Sequence, residues 1–378
     1  MVLMAIDHVR VYAGVPAGGP VPGVFFTRWI THFCAPIFIF FAGTSAFLYA
    51  RKHADLARFL LTRGLWLILL ELTFFRVAWT FNFDFMHYEM AGVIWVLGWS
   101  MIFLAVLSRL PLVWVGAIGV AVIAGHNLLD HRVAELIPAL QNSAGDAAWK
   151  IAYVGFWAGP IMFGPDGPML IVLYSLIPWV GVMAAGYAFG RVLVMESARR
   201  NRACLWIGLG ATTLFLVLRG FNLYGDPRPW GDAAGENGIP PTHGFLGFLN
   251  TTKYPASLSF LLMTMGPAIA LIPLLERARG RAARSVSVFG RVPFFFYLLH
   301  IPLIHTLALL VSKVRLGAVS PWLFMNHPMG VPRPPENYAW SLGLLYGVWI
   351  IVIALLYPAC RWFAGVKSRS GSGWLRYL

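Results

Sequence analysis

Apolar residues gather in nine long stretches, at 29–50, 60–80, 89–108, 111–128, 168–190, 203–218, 254–275, 291–312 and 339–358. A helix needs about 20 mainly apolar residues to cross a hydrocarbon layer of ~30 Å. The pattern predicts an all-α fold, a polytopic transmembrane helical bundle of about nine full spans, built as one domain over 1–378 with 361–378 as a tail. Met1 to Ile6 is also apolar and ends in Asp7-His8-Val9-Arg10. Seven helical residues rise only about 10 Å, which makes this an N-terminal half-span. It is too short for a signal peptide and lacks the basic flank of one. It reads as the outer half of a first helix, and the expectation is an in-frame upstream extension that supplies the inner half. A stop codon just upstream in genomic sequence would exclude that.

Charge sets the direction of the spans. Arg51, Lys52, Arg58 and Arg63 fill one gap, Arg109 the next alternate one, and Arg191, Arg199, Arg200 and Arg202 the one after. Arg277, Arg279, Arg281, Arg284 and Arg291 follow, and Arg361, Lys367, Arg369 and Arg376 lie in the tail. These alternate segments hold 18 of the 29 Lys and Arg, so by the positive-inside bias they face the cytoplasm, the C-terminus included. The intervening segments 8–28, 81–88, 129–167, 219–253 and 313–338 are longer and less basic. A net charge of +14 would otherwise suggest nucleic acid, but no single basic face collects it. Only 12% of the residues are charged and 59% are hydrophobic, far from a soluble composition.

Cys34, Cys204 and Cys360 are scattered through apolar runs, with no spacing for disulfides or a metal site. No internal repeat is evident, and only the Ser/Gly patch at 368–373 is low in complexity. The chain lacks a phosphate-binding Gly-x-x-x-x-Gly-Lys loop, an Arg-rich voltage-sensor helix and a Gly-x-Ser-x-Gly elbow.

Ionisable groups at bilayer depth are costly and mark candidate sites. Glu71 and Arg76 share one span but are five residues apart, about 140° of rotation, so each needs a partner elsewhere. His300 and His305 share another span, beside Pro302. At the outer ends stand Asp7, His8 and Arg10, then His32 opening the second helix, then Asp84, His87 and Glu89 in a short turn. A carboxylate beside an imidazole suits acid–base work. Asn222, Lys253 and Tyr254 belong to a long loop where aromatics mix with Asn, Asp and Arg, a composition suited to a sugar ring or to an interfacial belt. Asn250-Thr251-Thr252 matches a glycosylation sequon.

Five stretches together carry a resemblance: residues 1–10; Thr31-His32 through Pro36 with Phe40-Phe41-Ala42-Gly43; Tyr174 through Met183; Lys253-Tyr254-Pro255 through Thr264; and Phe289-Gly290-Arg291 with Tyr297 through Pro302. In this order they resemble the bacterial members of the heparan-alpha-glucosaminide N-acetyltransferase catalytic-domain family, part of a wider transmembrane acyltransferase group. The resemblance implies an acyltransferase of the bacterial inner membrane. It would move an acetyl or other acyl group from cytosolic acetyl-CoA or acyl-CoA to an amine or hydroxyl of an outer-face sugar or glycolipid, without a metal. It implies membrane lipid as surroundings, no nucleic-acid partner and a homodimer as one possible assembly. His8 matches the wider group's functional His, with Asp7 and His300 as further catalytic candidates. Arg10, His32, Glu71, Arg76, Asp84, His87, Asn222, Lys253, Tyr254 and His305 are the substrate-binding candidates, and Arg200, Arg281 and Arg291 would hold the donor's phosphates. The lysosomal branch carries a His in the loop after the first helix, where this chain has none between His8 and His32. The competing class is a proton-coupled transporter or exporter of a small molecule, with Glu71, Arg76, His300 and His305 as its path.

Overall fold

The computed structural model describes residues 1–15, 21–140, 143–231, 244–329, 332–369 and 375. Helix α1 (Val2–Tyr12) is the expected half-span. Helices α2 (Pro22–Ala50), α5 (Leu112–Val133), α6 (Leu176–Leu193), α7 (Ser197–Gly220), α8 (Leu258–Arg277), α10 (Pro293–Leu316) and α11 (Leu342–Arg369) are long and apolar enough to cross a membrane. Two further helices match expected spans. The first, α3, runs through Leu56–Leu70, a π turn at Glu71–Phe75 and Arg76–Thr80. The second, α4, is the shorter apolar helix Val93–Leu107. Amphipathic α9 (Arg281–Arg291) precedes α10. Large apolar side chains such as Val113, Trp206, Leu216 and Ile350 point outward, as helices solvated by lipid require. The chain is an all-α multi-pass membrane bundle.

The helices meet at glycines. A Cβ on Gly43 of α2 would lie 2.1 Å from the Met183 carbonyl oxygen of α6, and one on Gly186 of α6 would lie 2.0 Å from that of Phe40. Gly64 of α3 and Gly98 of α4 face each other the same way, each added Cβ 2.6 Å from the other residue's carbonyl oxygen. Gly119 with Gly181 joins α5 to α6, and Gly208 with Gly266 joins α7 to α8. In lipid no hydrophobic force separates helix faces from acyl tails, so close van der Waals approach through small residues holds such pairs. At the first seam Thr44 Oγ1 also donates to the Gly186 carbonyl at 2.8 Å.

Several expected boundaries shift. The runs at 89–108 and 168–190 open as strands, β1 (Glu89–Ala91) and β3 (Met169–Val172), paired in parallel; β2 (Ile161–Met162) pairs antiparallel with β3. A short apolar run has no periodicity to separate strand from helix, so the helices begin only at Val93 and Leu176. Within the segment 8–28, residues 8–12 and 22–28 are helical, and His32 lies in a 3-10 turn within α2 instead of opening it. The last span continues through the first part of the expected tail, to Arg369, and residues 370–373 of the Ser/Gly patch lie outside the described residues. So do residues 232–243 of the long aromatic loop.

Gly186→Ala is expected to lower the detergent-solubilised melting temperature by several degrees. Gly210→Ala, with open space around its Cβ, should leave it unchanged or raise it slightly, since Ala favours a helix over Gly by about 1 kcal/mol. Thermal unfolding of the two variants side by side checks this.

Candidate active site

Helix α1 packs against α10 and α11 and is tied at both ends. Trp349 Nε1 of α11 donates to the Val2 carbonyl at 2.9 Å. At the other end Tyr338 Oη donates to the Tyr12 carbonyl at 2.9 Å, and the Trp340 N–H donates to that of Ala13 at 3.0 Å. The last carbonyls of a helix have no partner within it, so these bonds both satisfy and position the segment.

That placement brings His8 of α1 to His300 of α10, with Nδ1 and Nε2 2.6 Å apart. The other nitrogen of His300, Nδ1, lies 2.7 Å from the Tyr297 carbonyl and 3.2 Å from that of Phe296. A carbonyl only accepts, so His300 Nδ1 carries the proton and, in the neutral ring, Nε2 presents a lone pair. His8 Nδ1 donates to that lone pair, which leaves the lone pair of His8 Nε2 outward. A neighbour that fixes the tautomer of a working imidazole is the logic of catalytic triads, here with a second histidine in the orienting place. Aromatic rings enclose the pair: Trp79 edge-on to His8 at 4.9 Å, Tyr297 edge-on at 6.2 Å and Phe296 stacked on His300 at 5.2 Å. His8 keeps partial accessibility and His300 has none.

Asp7 is not the group that orients His8. Its Oδ1 accepts from Arg10 Nε at 2.9 Å, and Arg10 Nη1 donates to the Val15 carbonyl at 2.8 Å. Neighbours in a helix point about 100° apart, so Asp7 faces another group of residues. The charges of Arg10 and Lys253 reach Asp7, and those of Arg28, Lys253, Asp7 and Arg10 reach His32. Among the described residues both ring nitrogens of the buried His32 lack a hydrogen-bond partner. Lys253 Nζ lies 5.1 Å from the Tyr254 ring and 6.0 Å from that of Tyr174. Asp7, Arg10, His32 and Lys253 thus form one cluster of mutually interacting charges that also reaches His8, with the Tyr254 ring beside Lys253.

The other candidates lie elsewhere. Glu71 Oε2 accepts from the Ile94 N–H at 3.2 Å and so caps the start of α4. A Cβ on Gly92 would stand 2.3 Å from Glu71 Oε1, so a side chain there would displace the capping carboxylate. Arg76 donates to the Tyr88 and Asp84 carbonyls, to Thr80 Oγ1, and to Asn82 Oδ1 at 2.9 Å, which shapes the outer turn. Asp84 and His87 pair with each other at 2.8 Å in that exposed turn. His305 lies between the Ala78 and Leu323 carbonyls at 3.1 and 2.9 Å. Asn222 closes its own loop, bonded twice to the backbone of Trp230. Among the described residues no direct hydrogen bond or ion pair joins Glu71 or Arg76 to His300 or His305. On the basic side Arg200 pairs with Glu276 at 2.7 Å, while Arg281 and Arg291 line a cleft of their own.

Sequence reasoning missed Arg28, Trp79, Tyr297 and Asp226. Arg28 and Tyr297 precede His32 and His300 by four and three residues, the spacing of helical neighbours, and that signal was available. The Asp226 side chain, only 4% exposed, accepts from the Thr252 N–H at 2.9 Å, Thr252 Oγ1 at 2.8 Å and Ser257 Oγ at 3.1 Å, and lies 3.7 Å from Arg219. It fastens the loop that delivers Lys253.

Beneath α1 lies an apolar cavity of about 800 Å³. Met1 and Met4 form its roof, Phe38 and Phe41 of α2 and Leu67 of α3 its walls, and it reaches His53 and Arg63 at the basic end.

A family model described as heparan-alpha-glucosaminide N-acetyltransferase, catalytic, matches residues 1–223. That span includes His8, Arg28 and His32, whereas His300 and Lys253 lie beyond it. No curated protein and no solved structure matches the chain.

Asp226→Ala would leave Arg219 buried without its counter-ion, a loss of about 3–5 kcal/mol where a buried pair is broken. The variant should melt well below the parent, and Asp226→Asn, which keeps part of the hydrogen bonding, should fall between them in a thermal unfolding series.

Proposed function

The chain belongs to the heparan-alpha-glucosaminide N-acetyltransferase catalytic family, and from that premise we propose that it transfers an acyl group from acyl-CoA to an amine or hydroxyl of a sugar or glycolipid across the membrane. The observation that carries this reading is the His8–His300 pair, which leaves one lone pair, on His8 Nε2, near a cluster of charged side chains. The basic helix ends, the C-terminus among them, face the cytoplasm of a bacterial inner membrane, and the charged cluster around His32 and Lys253 lies toward the other side.

The cavity beneath α1 suits the donor's acyl and pantetheine arm: it is mostly apolar, of ligand size, and reaches the basic end. His53 and Arg63 line it at that end, where the donor's phosphates would arrive. His8 is one turn, about 6 Å, beyond Met4 on the same helix. His8 Nε2 takes the proton from the acceptor N–H or O–H as that atom attacks the thioester carbonyl carbon. The C–S bond breaks and the thiolate leaves with the proton returned from the imidazolium. His300, donating its own proton to Tyr297, stabilises the charge that forms on His8. Lys253, Arg28 and His32 surround the acceptor's polar groups, and Tyr254 offers a ring face to a sugar.

Removing a general base costs about 10²–10⁴-fold in rate. His8→Ala should therefore lose acyl transfer by that factor in reconstituted vesicles with labelled acetyl-CoA, with membrane yield and melting temperature unchanged. His300→Ala should lose less, with a shifted pH–rate profile. Full activity in His8→Ala would overturn the role.

A further inference from the structure

The basic end of the bundle carries a second concavity, of about 520 Å³, between α9 and the end of α11. Arg281, Arg284 and Arg291 line it from α9 and Arg361 from α11, together with Ser285 and Tyr357. Among the described residues none of the four guanidinium groups has an ion-pair or hydrogen-bond partner, and no carboxylate lines the cleft. Like charges brought around one hollow repel unless an anion lies between them. Arginine forks match the oxygens of a phosphate in a bidentate way, and the two hydroxyls add donors.

Two features locate the cleft at the level of lipid head groups. Trp362, next to Arg361, exposes 63% of its surface, and tryptophan concentrates at the membrane–water boundary. Helix α9 is amphipathic: its Phe289 is buried, edge-on to Phe296 at 5.4 Å and to Tyr357 at 6.0 Å, while its arginines remain exposed. A basic amphipathic helix of this kind lies in the interfacial plane. The opposite face of α9, through Val286 and Phe289, lines the apolar donor cavity, which does not share the arginines. A donor in that cavity would have to wrap around the helix to place its phosphates in the cleft.

We propose that the cleft between α9 and α11 binds a phosphate group presented by an anionic phospholipid. Basic pockets between membrane helices on the cytoplasmic side hold acidic head groups in this way. The arginines are then a lipid site and not only topogenic charge.

The test uses the full chain in detergent micelles, with phosphatidylglycerol and phosphatidylcholine as competing probes and retained lipid read by native mass spectrometry. The parent protein should retain phosphatidylglycerol about tenfold over phosphatidylcholine. Arg281→Gln with Arg361→Gln, one change on each wall, should abolish most of that preference. Arg284→Lys with Arg361→Lys, which keeps the charge but not the fork, should weaken it severalfold. Arg199→Gln with Arg202→Gln, an equal loss of charge elsewhere on the basic side, should leave it intact. Equal loss in that control, or none in the first variant, would overturn the site. Displacement of the lipid by coenzyme A would overturn the lipid assignment and give the cleft to the donor's nucleotide; displacement by inorganic phosphate alone would give it to free phosphate. The readout is binding, so it stands whether or not the chain transfers acyl groups.

Discussion

Inside a bilayer a polar group has no water to turn to, and leaving one unpaired costs several kcal/mol. Most of the ionisable groups within this bundle meet that constraint through partners from other segments. The Glu71 carboxylate ends on a helix start more than twenty residues away, Arg76 on the carbonyls of a turn, and His305 on carbonyls from two separate elements. These groups hold the structure together. Among the described residues several buried polar atoms are left without a partner, both ring nitrogens of His32 and of His327 among them. The candidate site is defined by those near His8: its own lone pair, the ring of His32 and the cations Arg28 and Lys253.

Helix α1 is the piece on which the site depends. Its own hydrophobic burial could not fix its depth to the precision that a hydrogen bond between imidazoles demands. The indole of Trp349 at one end and Tyr338 with Trp340 at the other supply that precision. Two tiers result, with His8 against His300 and Tyr12 4.7 Å from His305, and Trp79 in contact with the α1 member of each.

The helical pattern was legible because a spanning helix must be apolar over its whole length, and the loop charges then follow. His8 and His300 were legible because a buried imidazole is rare enough to stand out. Their pairing was not, since 292 residues separate them and only tertiary packing joins α1 to α10. The intramembrane acid misled for the opposite reason: Glu71 looks exceptional in one dimension and is a helix cap in three. Asp226 attracted no notice among the polar residues of a long loop, although it fastens the strand of chain that carries Lys253.

The glycine seams have a mechanical consequence. Where two backbones touch through paired glycines, the neighbouring turns interlock, and sliding one helix along the other would drive a side chain into a carbonyl. Four such seams couple α2 with α6, α3 with α4, α5 with α6 and α7 with α8, whereas Gly343 and Gly347 of α11 face open space. Three blocks result, α2 with α5 and α6, α3 with α4, and α7 with α8, each fixed in its own register. Motion between helices is thereby left to the joints between blocks and to α1, α10 and α11, which no such seam fastens, and the first two of these carry His8 and His300.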